Sequence, residues 1–151
     1  MGEEIWRQTN GDVDAFVHSV GTAASSRGVA TVLKRRRPGV HIAAVEPAES
    51  PVLTGGEPGP HGIDGVGIGY TPPLWDASIV DEIVAVRTDD AKEMARRIAR
   101  EEGIFAGTSS GANVIAAIQI GERLGPKAKV VTLMIDSGLK YLNTDVYRSA
   151  R

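Results

Sequence analysis

The stretch "DAFVHSVGTAASSRGVATVLKRRR" (14–37) decides the fold, because it joins a strand to a helix through a loop of small residues. Its first part, 14–20, is rich in β-branched and aromatic residues and lies between two glycines, which predicts a strand. Ser25 or Ser26 can cap the helix that follows, and this helix ends near Arg37 before a Pro-Gly pair. The stretch therefore predicts a strand that runs directly into a helix.

The rest of the chain extends this unit. A strand at 41–47 follows after a short connection, and a strand–helix–strand unit of this kind favours a parallel sheet. Apolar runs at 82–87 and 129–136 predict two more strands, the second one covered on both faces. Helices are predicted at 91–103 and 112–125. The chain is thus expected to be α/β, a single three-layer αβα domain with a mostly parallel sheet.

A long loop interrupts this pattern at 47–73, which holds six of the eight prolines and seven of the eighteen glycines. Loops of this length in a compact domain are usually functional or disordered. Its "GVGIGY" run (65–70) follows no clear strand and opens no helix, so it does not qualify as a dinucleotide fingerprint. We interpret it as flexible or close-packed backbone.

Composition excludes several classes of function. The net charge of −2 gives no general attraction to nucleic acid or to an anionic membrane, and the basic run 34–37 suits the last turn of a helix. No apolar run approaches the roughly 20 residues that span a bilayer, and the polar start does not resemble a signal peptide. Cysteine is absent, and the three histidines lack the spacing of a metal site. We expect a cytoplasmic protein.

The first of three candidate ligand loops is 20–28. Backbone N–H groups at a helix amino terminus, together with the Thr22, Ser25 and Ser26 hydroxyls, can bind a phosphate or another small anion. Ala23 and Ala24 are expected not to take a positive φ easily, and their methyl groups are expected to hinder the approach of the anion. A simple capped helix start is the alternative interpretation.

Two further loops are expected to join the first at one edge of the sheet, because ligands of open parallel sheets bind beyond the carboxyl ends of the strands. The loop 107–113 carries Ser109 and Ser110, which helix capping alone can also explain. The loop 134–145 carries Asp136 and Ser137 just after an apolar strand, where a turn closed by a side-chain hydrogen bond is the alternative.

Four segments together resemble the C-terminal part of the cysteine synthase family. They are "EIWRQTNGDVDAFVHSVGTAAS", "VEPAESPVLTGGEPGPHGIDGVGIGY", "EEGIFAGTSSGAN" and "DSGLKYLNTDVY", and the resemblance covers roughly 5–147 in order. The family comprises pyridoxal-phosphate enzymes of fold type II, relatives of cystathionine β-synthase and of the tryptophan synthase β chain. The resemblance implies pyridoxal phosphate as the cofactor and replacement at Cβ of an O-activated serine as the reaction.

The resemblance also implies which residues contact the cofactor. The family loop Gly-Thr-Gly-Gly-Thr, which binds the cofactor phosphate, is matched here by 21–25 with two alanines, and 65–70 matches an active-site wall. Ser137, or its neighbour Asp136, matches the position that contacts the pyridine nitrogen; a serine suits β-replacement, whereas an aspartate favours a pyridinium. The implied contacts are Gly21, Thr22, Ala23, Ala24, Ser25, Ser109, Ser110, Asp136 and Ser137.

A departure from the family concerns lysine. Family members are about twice as long, and their Schiff-base lysine lies in the N-terminal part, in a Ser-x-Lys context. None of the five lysines of this chain has that context. We therefore expect no catalytic residue here and no β-replacement by the chain alone.

Three hypotheses follow. The first is a truncated or split cysteine synthase-like protein that lacks its lysine-bearing half. If the protein is split, its partner would be the complementary N-terminal half. The second is a degenerate, non-enzymatic module that binds a small anion and forms a homo-oligomer. The third and weakest is nucleotide binding, with Glu46 at the end of a strand holding a ribose hydroxyl.

Overall fold

The computed structural model describes residues 1–148. Their centre is a four-stranded sheet with the order β3-β2-β1-β4, in which every neighbouring pair is parallel. This confirms the predicted parallel sheet. The strands are β1 (Ala15–Ser19), β2 (His41–Pro47), β3 (Glu82–Val86) and β4 (Val130–Thr132).

Helices cover both faces of the sheet, which confirms the three-layer α/β architecture. On one face, Phe16 of β1 packs with Leu33 in a cluster that includes Ile5. On the other face, Val17 of β1 packs with Ala116. The helices are α1 (Gly2–Gln8), α2 (Ala24–Arg36), α3 (Thr88–Glu102) and α4 (Thr108–Leu124), with short 3₁₀ helices at Ala77–Ile79 and Gly138–Tyr141.

The carboxyl-terminal part of the sheet differs from the prediction. Strand β4 covers only part of the predicted strand 129–136 and lies at the edge of the sheet, where it is half-buried. Val130 and Val131 pack against the clusters on opposite faces, so the predicted cover on both faces is present. Beyond it, the Asn113 side-chain amide donates to Leu133 O (3.0 Å), and Ile135 N donates to Ser110 Oγ (3.0 Å). Because side chains of α4 satisfy these backbone groups, the chain leaves the sheet early.

Two helices also differ from the prediction. Helix α1 was not predicted, and α4 begins at Thr108, four residues before the predicted start at 112. Within residues 1–148, none of the helices is long and apolar enough to span a bilayer.

The long loop is anchored by polar contacts. The Glu46 carboxylate accepts hydrogen bonds from Leu53 N and from the Thr54 hydroxyl, both at 2.7 Å. Gly67 N donates to Val20 O (3.1 Å), so the "GVGIGY" run packs against the end of β1. The close-packed interpretation of that run is therefore confirmed.

Candidate functional site

The three predicted loops meet at the carboxyl end of β1, where they surround a cleft of about 310 Å³. The end of β1 itself contributes His18 and Ser19. The loop residues at the cleft include Gly21, Thr22 and Ser25 from the first loop, Ser109 from the second, and Asp136 and Lys140 from the third.

The amino terminus of α2 borders this cleft without a capping side chain. The prediction that Ser25 or Ser26 caps the helix is wrong. Ser25 Oγ lies 2.8 Å from His18 Nε2, and Ser26 Oγ donates to Ala23 O (3.1 Å). The first N–H groups of a helix have no intrahelical acceptor, so those of α2 stay available beside the Thr22 and Ser25 hydroxyls.

The two alanines behave differently from the expectation. Ala23 does take a positive φ (65°), a conformation that costs a non-glycine residue about 1–2 kcal/mol. Its methyl group is buried in a cluster with Val20 and Ala44, and Ala24 is exposed as the first residue of α2. Neither residue lines the cleft. The expected steric hindrance by their methyl groups is therefore absent from the cleft lining.

Gly21 is required by close packing. A Cβ at this position would lie 2.3 Å from Gly65 O, a distance that no ordinary contact reaches. The loop after β1 and the segment at 65–66 are therefore in backbone contact, and together they form one wall of the cleft.

The second loop is part of α4. Neither Ser109 nor Ser110 caps the helix, whose first flanking residue is Gly107. Both serines are buried, and only Ser109 lines the cleft, because Ser110 Oγ accepts from Ile135 N. The capping alternative for this loop is wrong.

In the third loop, the two candidate residues have different surroundings. Asp136 Oδ2 accepts from the Tyr141 hydroxyl (2.6 Å), whereas its buried Oδ1 has no hydrogen-bond partner within residues 1–148. Burial and the hydrogen bond to Asp136 raise the pKa of Tyr141. Ser137 is exposed, accepts from Leu139 N (3.2 Å) and does not line the cleft. Asp136 is therefore the member of the pair that borders the cleft.

Sequence reasoning missed five cleft residues: His18, Ser19, Asp64, Ile135 and Lys140. Lys140 Nζ forms an ion pair with Asp64 (3.0 Å), which raises the lysine pKa. Burial lowers the pKa of His18 to about 4, so its imidazole is neutral near pH 7. Of these residues, His18 could have been identified from the sequence, because it is a histidine within a mostly apolar strand that leads into the serine-rich loop.

Other predicted features do not join the cleft. Both oxygens of the Glu46 carboxylate accept hydrogen bonds from the long loop, which argues against a role in holding ribose. Among residues 1–148, no group of three or more potential ligand side chains is arranged to hold a metal ion.

Comparison with known proteins identifies the family to which this chain is similar. Residues 1–136 match the family described as "Pyridoxal-phosphate dependent enzyme". A cysteine synthase from Staphylococcus aureus strain Mu50 is 48% identical over 147 residues, which are 97% of this chain and 47% of that protein. The chain thus spans about half the length of the curated relatives it matches.

Solved structures agree with this similarity. O-acetyl serine sulfhydrylase isoform 3 from Entamoeba histolytica superposes with a TM-score of 0.95 at 42% identity, covering 99% of this chain and 45% of that one. An O-acetylserine-dependent cystathionine β-synthase from Helicobacter pylori superposes with a TM-score of 0.92 at 32% identity, covering 97% and 48%.

Proposed function

The chain belongs to the family of pyridoxal-phosphate-dependent enzymes, and on this premise we propose that it is the phosphate-binding half of a cysteine synthase-like protein. The observation that carries the proposal is the uncapped amino terminus of α2 beside the Thr22 and Ser25 hydroxyls at the cleft. Free N–H groups and the helix dipole stabilise a phosphate at such a position. Gly21, Ala23 and Ala24 would contribute through their backbone.

The cleft fits the cofactor in size and chemistry. Its volume of about 310 Å³ lies at the lower end of the roughly 300–1,000 Å³ typical of small-molecule sites. Hydroxyls from the first loop border one part, and the unpaired Asp136 Oδ1 belongs to another loop. Such a site suits a molecule that carries both a phosphate and a basic ring nitrogen. When bound, pyridoxal phosphate supplies an electron sink for chemistry at the carbons of an amino acid.

Asp136 and Ser137 are the two candidates for the ring nitrogen. We favour Asp136 as the contact in this chain, because the residue borders the cleft, whereas Ser137 does not and its hydroxyl accepts from Leu139 N. A carboxylate there would stabilise the protonated ring, whereas a serine would not. Ser109 and Ser110 would form the floor beside the ring, Ser109 at the cleft and Ser110 through its support of Ile135.

The family reaction, β-replacement on an O-activated serine to give cysteine, is proposed to need more than this chain. Lys140 is the one lysine that lines the cleft within the described residues, and its pairing with Asp64 keeps it protonated and a poor nucleophile. Lys34, Lys92 and Lys129 pair instead with acidic side chains outside the cleft. We expect the chain alone to bind the cofactor without forming a covalent bond to it.

A complementary half or a second copy would complete the site. Apolar side chains next to the cleft are exposed, among them Ile135 at 46% and Leu139 at 67%. Exposed apolar groups that lie together mark interaction surfaces. We propose that the chain acts as one domain in the cytoplasm, with its partner on this surface.

The experiment that tests the proposal is calorimetric titration with pyridoxine 5′-phosphate, which cannot react with lysine, and with pyridoxine, which lacks the phosphate. The proposal predicts binding of the phosphate ester and at least about tenfold weaker binding of pyridoxine, because charge-assisted hydrogen bonds contribute about 1.5–3 kcal/mol. Equal affinities for the two compounds would contradict it.

A matched pair of variants locates the contact. Thr22→Val removes a hydroxyl at the cleft and should weaken binding of the ester about tenfold. Thr31→Val removes an exposed hydroxyl of α2 that donates to Arg27 O, away from the cleft, and should leave the affinity unchanged. An equal loss in both variants would show a general effect on α2 instead of a phosphate contact.

The second candidate function is a non-enzymatic anion-binding or oligomerising module. The alanines at positions 23 and 24, where the family has glycine, favour it. Restoring both glycines discriminates between the two candidates. A sharp gain in affinity for the ester would show that the alanines had weakened an inherited site, whereas an unchanged affinity supports a site that is competent as it stands.

A further inference from the structure

The buried imidazole of His18 contacts the cleft from strand β1. The residue is 4% exposed, it lines the cleft, and its ring centroid lies 5.7 Å from that of Phe16. Its Nε2 lies 2.8 Å from Ser25 Oγ, and its Nδ1 lies 3.5 Å from Asn113 Nδ2. These two contacts decide which ring nitrogen carries the proton.

Asn113 has a fixed orientation. Its Oδ1 accepts from the backbone N–H of Ser19 (2.7 Å), and its Nδ2 donates to the carbonyl of Leu133 (3.0 Å). Backbone N–H groups only donate and carbonyls only accept, so the amide cannot be flipped. The second proton of Asn113 Nδ2 is therefore directed to His18 Nδ1, which has to be the acceptor.

A neutral imidazole with Nδ1 as acceptor carries its proton on Nε2. The neutral form is the one present near pH 7, since burial lowers the pKa of His18 to about 4. Nε2–H then donates to Ser25 Oγ, and the hydroxyl accepts. A serine hydroxyl has a single proton, so that of Ser25 is free to point away from the ring, toward the cleft that the residue lines.

A second observation at the same place indicates a ligand. Ser19 is 3% exposed and lines the cleft, yet its Oγ has no hydrogen-bond partner within residues 1–148. Buried hydroxyls are nearly always hydrogen-bonded. A ligand oxygen in the cleft would satisfy Ser19 as well as Ser25.

We propose that His18 is a positioning residue, which holds the Ser25 hydroxyl as an acceptor so that its proton is directed to a phosphate oxygen in the cleft. The proposal rests on the proposed phosphate site and adds a residue to it. Asn113 sets the histidine tautomer, and thus links α4 to the phosphate-binding loop at the start of α2.

The tautomer is tested in the free protein by long-range ¹⁵N NMR of the imidazole at pH 7.5. The proposal predicts a proton on Nε2 of His18. A proton on Nδ1 would overturn it, even if the phosphate ester binds. This measurement does not depend on ligand binding, so a failure of the inference is distinguishable from a failure of the proposed function.

The role in binding is tested by a double-mutant cycle, with pyridoxine 5′-phosphate as the probe in calorimetric titrations at pH 7.5. His18→Leu should weaken binding about fivefold, the effect of one neutral hydrogen bond. In a Ser25→Ala background the same change should alter the affinity less than about twofold. His18→Gln, whose amide can still donate to Ser25, should restore most of the loss.

Besides a proton on Nδ1, three results of the binding measurements would overturn the inference. One is an equal loss from His18→Leu with and without Ser25, which would indicate a structural role. Another is the absence of rescue by His18→Gln in a variant whose melting temperature matches that of the wild type. The last is no binding of the ester by the wild-type chain, which would overturn the proposed function as well.

Discussion

The two sides of the cleft differ in how far the chain itself covers them. On the side of α2, the strand residues His18 and Ser19 are at most 4% exposed, whereas the polar loop residues Thr22 and Ser25 are exposed. On the side that follows β4, Ile135 and Leu139 are 46% and 67% exposed. The first side thus combines a buried strand end with exposed polar groups, whereas the second has apolar side chains in contact with solvent.

The exposure of the two sides therefore indicates which part of a cofactor site the chain can form by itself. The phosphate side depends on contacts within the chain, such as those of Gly21 with Gly65 and of His18 with Ser25. The other side presents the surface at which a further protein segment is expected. We therefore expect perturbations on the first side to change stability and binding together, and those on the second to change association.

The largest effect on the free energy of unfolding should come from the protonation of His18. Its pKa is about 4 in the folded chain and about 6.5 when unfolded, so the unfolded chain binds the proton more tightly. The stabilisation that results from this difference in pKa is complete above pH 6.5 and is lost as the pH falls toward 4. Over that range the free energy of unfolding should fall by about 3 kcal/mol. Urea unfolding across this window measures it. His18→Leu should flatten the dependence, and an unchanged slope in that variant would contradict the prediction.

Gly21→Ala should disrupt the packing of the phosphate side and thus lower both stability and ligand binding. The new Cβ would meet Gly65 O at 2.3 Å, so we expect a loss of about 2 kcal/mol in stability and at least tenfold weaker binding of pyridoxine 5′-phosphate. Gly28→Ala is the matched control, because a Cβ there meets nothing within 4 Å and α2 should gain about 0.5–1 kcal/mol. Similar losses in both variants would argue against the contact.

Ala23→Gly tests the strained position on the same side with a smaller effect. Relief of the positive φ gains about 1–2 kcal/mol, while the loss of a buried methyl group costs about 0.8 kcal/mol and the added freedom of the unfolded chain costs about 0.4–1 kcal/mol. These three contributions nearly cancel, so the free energy of unfolding, measured by thermal unfolding, should change by less than about 1 kcal/mol. Ester affinity should change less than twofold, because the methyl group lies outside the cleft.

The smallest effect on stability is expected on the exposed side. Leu139→Ser replaces a side chain that is 67% exposed and should alter the unfolding free energy by no more than about 0.5 kcal/mol. If a second copy covers this surface, the variant should shift sedimentation toward the monomer. A large loss of stability without any change in association would contradict the division between the two sides.

Sequence reasoning succeeded where local patterns and burial agree. Strand β2 has the predicted limits, and the three loops meet at the predicted edge of the sheet. It failed where distant residues decide the local structure. Helix α4 begins at Thr108 because the small polar residues there, typical of a loop, are buried, and Ser110 accepts from Ile135 N. Strand β4 is short because side chains of α4 form hydrogen bonds with the backbone that follows it.

Prediction of the candidate site was limited in the same way, by contacts between residues far apart in the sequence. The serine-rich loop was recognisable, but the direction of each side chain was not. Ala23 points into an apolar cluster and Asp136 borders the cleft instead of Ser137, and both facts depend on neighbours far along the chain. His18 could be noticed as a polar residue in an apolar strand, yet its role depends on Asn113, 95 residues away.

Whether the chain alone can form a covalent bond to the cofactor is measured by mixing the purified chain with pyridoxal phosphate, reducing with borohydride and locating any pyridoxyl adduct by mass spectrometry. We expect the phosphate side to bind the cofactor while no lysine is modified beyond scattered, low yields. Stoichiometric modification of a single lysine would contradict this expectation, and Lys140, which lines the cleft, is the residue to inspect first.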